Sequence, residues 1–298
     1  MSLLYWTLVF SKFAIAMNIS VIVPVYNAEK TLTACINGLA LQDYDQGHVE
    51  WIFVDNRSTD DSVSLLQKAP GVTLLSEDQR GAYAARNAGI AVASGDILAF
   101  LDPDCVPEPS WLRSMAETLQ RPGVSVVLGV RRPSPDVGLN RMLGDYDTTR
   151  DEWAVGSNER EKYFGYTNNM GITRLSWTRF GPFAGRSRGS DTIFVRRVVD
   201  SEGCGAVVFA PAMKVSHLEM NGVVTYVRKA FTYGRSLQSY CRVVPVKPLS
   251  FRDRLSVFRK TVNSKSYGLA RIMTLALLLA VGMLAWVMGR MAGKITRS

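Results

Sequence analysis

Ile19-Ser20-Val21-Ile22-Val23-Pro24-Val25 is an apolar, β-branched run that stops abruptly at Tyr26-Asn27. β-Branched side chains favour extended backbone, so the run reads as a buried strand. Residues 28–41 follow with Leu32, Ile36 and Leu39 at helical spacing. The alternation then repeats. Residues 49–54, 72–75, 97–101 and 124–130 read as further strands, and 60–68, 82–93 and 111–119 as the helices between them. Apolar strands alternating with helices predict right-handed βαβ units, hence an α/β fold with a mostly parallel central sheet flanked by helices.

Such sheets bind ligands at the carboxyl ends of their strands. Here the first strand ends at Tyr26-Asn27, the second at Asp55-Asn56 and the fourth at Asp102-Pro103-Asp104. Acids and amides often end strands or cap helices for purely structural reasons. Three carboxylates gathered along one sheet edge are a different matter, because like charges a few ångströms apart repel. A divalent cation bridging them to a diphosphate relieves that cost, and oxygen ligands suit Mg²⁺ or Mn²⁺.

The 298 residues are 47% hydrophobic and 20% charged, which supplies a sizeable core and excludes wholesale disorder. Cys35, Cys105, Cys204 and Cys241 lie far apart with no C-x-x-C pair, which argues against a disulfide framework or a cysteine zinc site and fits a reducing compartment. The net charge of +9 is unevenly spread. Residues 1–213 carry 20 Lys/Arg against 24 Asp/Glu, and residues 214–298 carry 15 against 2.

The ordered pieces resemble inverting family-two glycosyltransferases with the GT-A (Rossmann-like) fold. The matching stretches are Ser20 to Asn27, then Val54-Asp55-Asn56-Arg57-Ser58-Thr59-Asp60, then Gly81 with Arg86-Asn87-Ala88-Gly89, then Ala93-Ser94-Gly95-Asp96 and Phe100-Leu101-Asp102-Pro103-Asp104. A lone D-x-D is weak, but four ordered pieces across about 90 residues are specific. The resemblance implies that Asp55 accepts a hydrogen bond from the nucleotide base, with Pro24, Tyr26 and Asn27 lining the base and ribose pocket. Arg86 is expected near the ribose and phosphates, Asp102 near the ribose, and Asp104 on a divalent cation, Mn²⁺ or Mg²⁺, that supports the leaving diphosphate.

Downstream, Thr167-Asn168-Asn169-Met170-Gly171 and Phe180-Gly181-Pro182-Phe183 resemble the family's acceptor-side landmarks. Relatives then carry Glu-Asp where this chain has Ser190-Asp191. Asp191 keeps the position of the base that deprotonates the acceptor, while an acid at a helix start is the structural alternative. The missing Glu leaves the neighbouring acceptor contacts open. His217 stands where some relatives place a further metal or diphosphate ligand, and a structural histidine is the alternative. His48 receives no role. The Gly185-to-Gly189 stretch reads as either a lid over the donor or an ordinary surface loop.

The basic tail holds an uncharged apolar run, residues 272–289, flanked by Arg271 and Arg290. As a helix it is roughly 27 Å long, just enough to cross a bilayer core. An interfacial helix and a buried one are the alternatives. The side richer in Lys/Arg precedes it, which places the main domain in the cytoplasm at the cell membrane. Residues 223–240 have helical apolar spacing with Arg228, Lys229 and Arg235, and with Tyr226, Tyr233 and Tyr240. A basic amphipathic helix seeks an anionic membrane surface, and an ordinary helix with a solvated face is the alternative. No nucleic-acid module is visible, so lipid explains the charge better than nucleic acid. Residues 1–17 read as an apolar extension or an upstream mis-start before Met17.

The expected organisation is a domain over 18–220, with a nucleotide-sugar half (18–130) and an acceptor half (131–220). A basic amphipathic region (221–266) and a hydrophobic helix with a basic tail (267–298) complete it. The expected activity is metal-dependent transfer from a nucleotide sugar, UDP-linked by preference, to a membrane-presented glycan or lipid carrier in cell-envelope polysaccharide or glycolipid synthesis. A silent sugar-nucleotide-binding scaffold is the alternative. A processive polysaccharide synthase is disfavoured, because no Q-x-x-R-W follows Asp191 and one short apolar segment cannot build a polymer channel.

Overall fold

The computed structural model describes residues 17–185 and 188–295. The apolar extension over residues 1–16 therefore lies outside the described residues, as does the middle of the Gly185-to-Gly189 stretch. The first half follows the expected alternation. Strands β1 (Ile19–Val25), β2 (Val49–Asp55), β3 (Val72–Ser76) and β4 (Ile97–Leu101) are separated by helices α1 (Leu32–Ala40), α2 (Ser62–Gln67) and α3 (Ala82–Val92). β1 lies between β2 and β4, parallel to both, and β2 pairs in parallel with β3.

Every residue of β1 is buried, because helices cover both faces of the sheet. Alternate side chains serve opposite layers, as strand geometry requires. Ile19, Val21, Val23 and Val25 pack with Leu32 and Leu39 of α1 and with Trp111 and Met115 of α4 (Trp111–Leu119). Ile22 packs on the other side, with Tyr83 and Ile90 of α3.

The second half adds antiparallel pairings, so the eight-stranded sheet is mixed, in the order β3-β2-β1-β4-β7-β6-β8-β5. Its further strands are β5 (Cys105–Pro107), β6 (Val126–Pro133), β7 (Asn169–Thr173) and β8 (Val207–His217). β6 and β8 are parallel, whereas β7 runs antiparallel to β4 and β6, and β5 antiparallel to β8. The helices here are α5 (Gly138–Val155), α6 (Arg174–Phe180) and α7 (Ser190–Glu202).

The basic tail forms three helices, α8 (Gly222–Tyr240), α9 (Phe251–Ser264) and α10 (Leu269–Ile295). Ser250 and Asp253 form a reciprocal capping box at the start of α9. Ion pairs fasten this region to the sheet domain: Lys162 to Asp253 at 3.2 Å, Lys260 to Glu152 at 2.9 Å, and Lys265 to Asp145 at 3.4 Å. The apolar run thus belongs to a helix longer than expected, and that helix has a partner along its length.

α10 runs parallel to α8 at backbone contact. A β-carbon on Gly289 would stand 2.0 Å from the Phe231 carbonyl oxygen, and one on Gly234 would stand 2.0 Å from that of Trp286. Glycine at these points is what lets the two helices approach so closely. Leu275 reaches the core formed by Met142 and Tyr146 of α5 and Val257 of α9. On the opposite face Leu269, Met273, Leu277, Val281, Leu284, Met288 and Met291 are exposed, at spacings of three and four residues.

This packing predicts that Gly289→Leu destabilises the protein by about 1–3 kcal/mol through overpacking. Met288→Ala, one residue away on the exposed stripe, should change stability by less than about 0.5 kcal/mol. Chemical denaturation of the two variants checks the contrast.

Candidate active site

Val25 and Asp55 are register partners, so the first two strands end side by side. The Asp55 carboxylate is buried and accepts hydrogen bonds from the backbone N–H groups of Arg57 and Ser58, both at 3.2 Å. Asn27 sits at φ +49°. Its side-chain oxygen accepts the Thr59 N–H at 2.8 Å, while its own N–H donates to Ser58 Oγ at 3.0 Å. It therefore clamps the two loops together. Pro24 is buried inside β1 opposite Val54, behind the loop, and Tyr26 presents a half-exposed ring at the rim.

Asn56, which carries no assigned role in the sequence, organises the neighbouring turn. Its amide donates to the carbonyls of Glu77 at 2.7 Å and Gln79 at 2.9 Å, and its side-chain oxygen accepts the Gly81 N–H at 2.7 Å. Gly81 takes a positive φ immediately before α3, so Asn56 helps set the direction in which α3 leaves the sheet edge.

α3 delivers Arg86, which is buried and ion-paired with Asp102 beyond the end of β4. One strand-end acid is thereby neutralised from within the protein. Asp104 is not. The Asp102 carbonyl accepts the Cys105 N–H at 3.0 Å, which turns the chain into β5. β5 then pairs with β8 in a register that sets Cys105 opposite His217. Asp104 Oδ2 consequently lies 3.2 Å from His217 Nδ1. That contact is out of line for a hydrogen bond, and Nδ1 has no hydrogen-bond partner although the imidazole is buried.

Burial, reinforced by the charges of Asp102 and Glu219, pushes the Asp104 carboxyl up to about 7. Burial, with Lys229 and Arg131 nearby, pulls His217 down to about 3 and keeps its ring neutral. Ligand atoms of Asp104, Cys105 and His217 fall within 4.8 Å of one another. Burial also drives the Cys105 thiol well above its ordinary range, leaving it a protonated and poor ligand. A carboxylate oxygen beside an orphaned, neutral imidazole nitrogen is a donor pair that suits a divalent cation such as Mn²⁺.

Asp191 lies in the first turn of α7, where the helix dipole favours an acid. Its carboxylate accepts the Thr192 N–H at 2.7 Å and is hydrogen-bonded by the Tyr83 hydroxyl. Burial nevertheless holds its pKa above the usual carboxylate range. Ser190, at the place of the family's Glu, is buried and donates to the Ala184 carbonyl at 2.5 Å. It points into the protein and offers nothing to an acceptor.

A single cavity of about 1190 Å³ joins these parts, lined among others by Tyr83, Arg86, Asp102, Asp191 and His217. Pro24, Tyr26, Asn27, Asp55 and Asp104 lie outside its walls, Asp104 standing 3.2 Å from His217, which lines it. The sequence reading missed Tyr83, Arg131, Arg150 and Lys229, which also line it. Tyr83 stands three residues before Arg86 and so shares its helix face, which is a legible signal. Lys229 reads in sequence as one more charge on a solvated face, yet it lies 3.5 Å from His217 Nε2.

Comparison with known proteins places this site in context. The profile "Glycosyl transferase family 2" matches residues 20–194. Glycosyltransferase AglE of Haloferax volcanii is 39% identical over 116 residues, covering 37% of this chain and 38% of the relative. A Methanococcus voltae dolichyl N-acetyl-alpha-D-glucosaminyl phosphate 3-beta-D-2,3-diacetamido-2,3-dideoxy-beta-D-glucuronosyltransferase is 33% identical over 109 residues, covering 35% of this chain and 34% of the relative. The matched region thus spans little more than a third of these curated relatives.

Among solved structures, the mannosyltransferase PcManGT of Pyrobaculum calidifontis, in complex with GDP-Man and Mn²⁺, superposes with a TM-score of 0.65 at 16% identity, over 96% of this chain and 89% of its own. Residues 1–349 of Staphylococcus aureus TarS superpose at 0.55 and 16% identity, over 94% and 91%. These likenesses show the shared GT-A architecture. With the profile covering more than half of the sequence, the chain belongs to glycosyl transferase family 2.

Proposed function

We propose that the protein is an inverting glycosyltransferase that moves a sugar from a nucleotide-diphospho-sugar to a hydroxyl of a membrane-presented acceptor, in cell-envelope polysaccharide or glycolipid synthesis. The observation that carries this reading is the shared cavity: Asp191, with a raised pKa, faces the same space as Arg86, Asp102 and the His217 beside Asp104. A relative with a lipid-linked acceptor in its name and a neighbour holding GDP-Man and Mn²⁺ support it. In this reading residues 18–130 hold the donor, UDP-linked by preference, and residues 131–220 carry the acceptor half.

Asp104 and His217 would hold the divalent cation, whose bound charge offsets that developing on the leaving diphosphate. Asp55 and Tyr26 form the base end of the donor site, with Pro24 and Asn27 setting the shape of their loop. Arg86 fixes Asp102 towards the ribose. Asp191 accepts the proton of the acceptor hydroxyl as that oxygen attacks the anomeric carbon from the face opposite the diphosphate. Back-side attack inverts the centre in one displacement. A carboxylate whose pKa is raised is a better base than an exposed one.

The membrane reading rests on the tail. α10 lies along α8 and reaches the core near α5, so its exposed apolar stripe faces outward along the flank of the molecule. A helix docked lengthwise on the catalytic domain fits the plane of the interface better than a span across it. Exposed Arg271 and Arg290 stand near the two ends of the stripe on the same helix and match an anionic cytoplasmic leaflet.

Asp104→Ala should abolish metal-dependent binding of the nucleotide sugar, measured by titration calorimetry with Mn²⁺ and with chelator. Asp191→Asn should keep that binding and lower kcat by about 10²–10⁴-fold. The kcat–pH profile should also lose activity on the acid side above the ordinary Asp range of about 3.9. The Tyr83 hydroxyl stabilises the charged carboxylate, so its loss in Tyr83→Phe raises the pKa of Asp191 and should move the acid limb to higher pH.

A further inference from the structure

The cavity does not end at the reacting centre. Beyond His217 it continues between the sheet domain and the tail helices, where Phe251, Phe258, Leu279, Met283 and Trp286 form an apolar outer wall. Leu284 belongs both to this wall and to the exposed apolar stripe of α10, so the outer end of the cavity adjoins the face that meets the membrane.

Among the cations that line it are Arg131 on β6, Arg150 on α5, Lys229 on α8 and Arg254 on α9. They are near enough to repel one another, Arg150 acting on Arg131 and Arg254, and Arg131 on Lys229. Two carboxylates serve part of this group. Asp151 bonds Arg131 at 2.6 Å and Arg150 at 2.8 Å, and Asp147 bonds Arg150 at 2.6 Å. Arg131 is further held flat, 3.7 Å from the Tyr166 ring centre, and its buried Nε has no hydrogen-bond partner.

Lys229 and Arg254 are left without a carboxylate in ion-pair contact among the described residues. Asp104, Glu219 and, from α5, Asp147 act on Lys229 without touching it. His217 lies between Lys229 and Asp104, with its Nε2 towards the first and its Nδ1 towards the second. Arg254 is hydrogen-bonded to the Tyr146 hydroxyl and the Leu249 carbonyl. Gathering like charges in a part-buried wall is costly unless an anion completes it.

We propose that this collar is the head-group site of the acceptor. Lys229, Arg254 and the free edge of Arg131 hold a phosphate or diphosphate, and the apolar wall beyond them seats the lipid chain that carries it. The substrate class is a long-chain lipid phosphate bearing the sugar whose hydroxyl meets Asp191. The imidazole of His217 divides two phosphate sites, the donor's diphosphate on the Asp104 side and the acceptor's phosphate on the Lys229 side. The chain enters sideways from the membrane past Leu284. This inference rests on the transferase reading for the identity of the ligand as acceptor, and its test needs no turnover.

The experiment is direct binding of matched probes to the full chain: farnesol, farnesyl phosphate, farnesyl diphosphate and inorganic phosphate, each below its aggregation limit. Farnesyl phosphate or diphosphate should bind at least tenfold more tightly than farnesol or inorganic phosphate. Arg254→Met removes no carboxylate's ion-pair partner, so it should fold with an unchanged thermal transition, and Lys229→Met is the second variant. Each should weaken the phosphorylated probes several-fold and the two combined at least tenfold, with farnesol binding as it was. Arg254 lies away from Asp104 and His217, so Arg254→Met should leave Mn²⁺-dependent nucleotide-sugar binding unchanged. Equal binding of farnesol and its phosphates would overturn the proposal. So would inorganic phosphate binding as tightly as the farnesyl phosphates, or an Arg254→Met variant that loses the nucleotide sugar and keeps the phosphorylated probes. Probe binding as expected in a protein that turns over no nucleotide sugar would sink the transferase reading and leave the lipid-phosphate site standing.

Discussion

The pairing of β5 with β8 is the constraint on which the site depends. β5 is only three residues long, yet its register sets Cys105 against His217 and so carries Asp104 to the imbalance that defines the centre. Asp102, two residues earlier, already has Arg86. Asp104 has no such partner, and burial with Asp102 and Glu219 around it raises its pKa. A neutral, unpartnered imidazole nitrogen beside a carboxylate in that state is an arrangement a protein tolerates when a cation completes it.

The same logic of incomplete charge recurs one residue's width away. On the inner side of His217 carboxylates exceed cations, and on the outer side cations exceed carboxylates. In the proposed reading the first holds a metal and the second an anion. Both sides open into one cavity, whose far wall is built from helices of the basic tail. The tail is therefore part of the site as well as the element that carries the exposed apolar stripe. Its attachment through Lys162–Asp253, Lys260–Glu152 and Lys265–Asp145 holds that wall in place.

Much of the fold was legible in the sequence because a strand buried on both faces leaves a strong trace. The first-half strands and helices fall within a few residues of the ranges read from apolar periodicity. β5, β7 and β8 were harder to see. β7 contains Asn169 and Gly171, β8 contains Pro211, Lys214 and Ser216, and each is a strand through its partners more than its composition. The antiparallel pairings follow from those partners, which is why the sheet is more mixed than an alternating pattern alone suggests.

The sequence by itself determined where the strand-end acids and Arg86 stand, because those positions follow from local periodicity and ordered motifs, and the resemblance to the family singled out Asp191 and His217 as candidates. It also revealed a tail that is basic and apolar at once. Only the tertiary structure decided which of these groups share a space, that Ser190 turns inward, and that α10 packs along α8. It alone decided, too, that Lys229 faces a cavity and not water. The reason is physical. Charge and hydrophobic pattern are local properties of the chain, whereas compensation of a charge depends on neighbours that sheet register and helix packing bring from far along it.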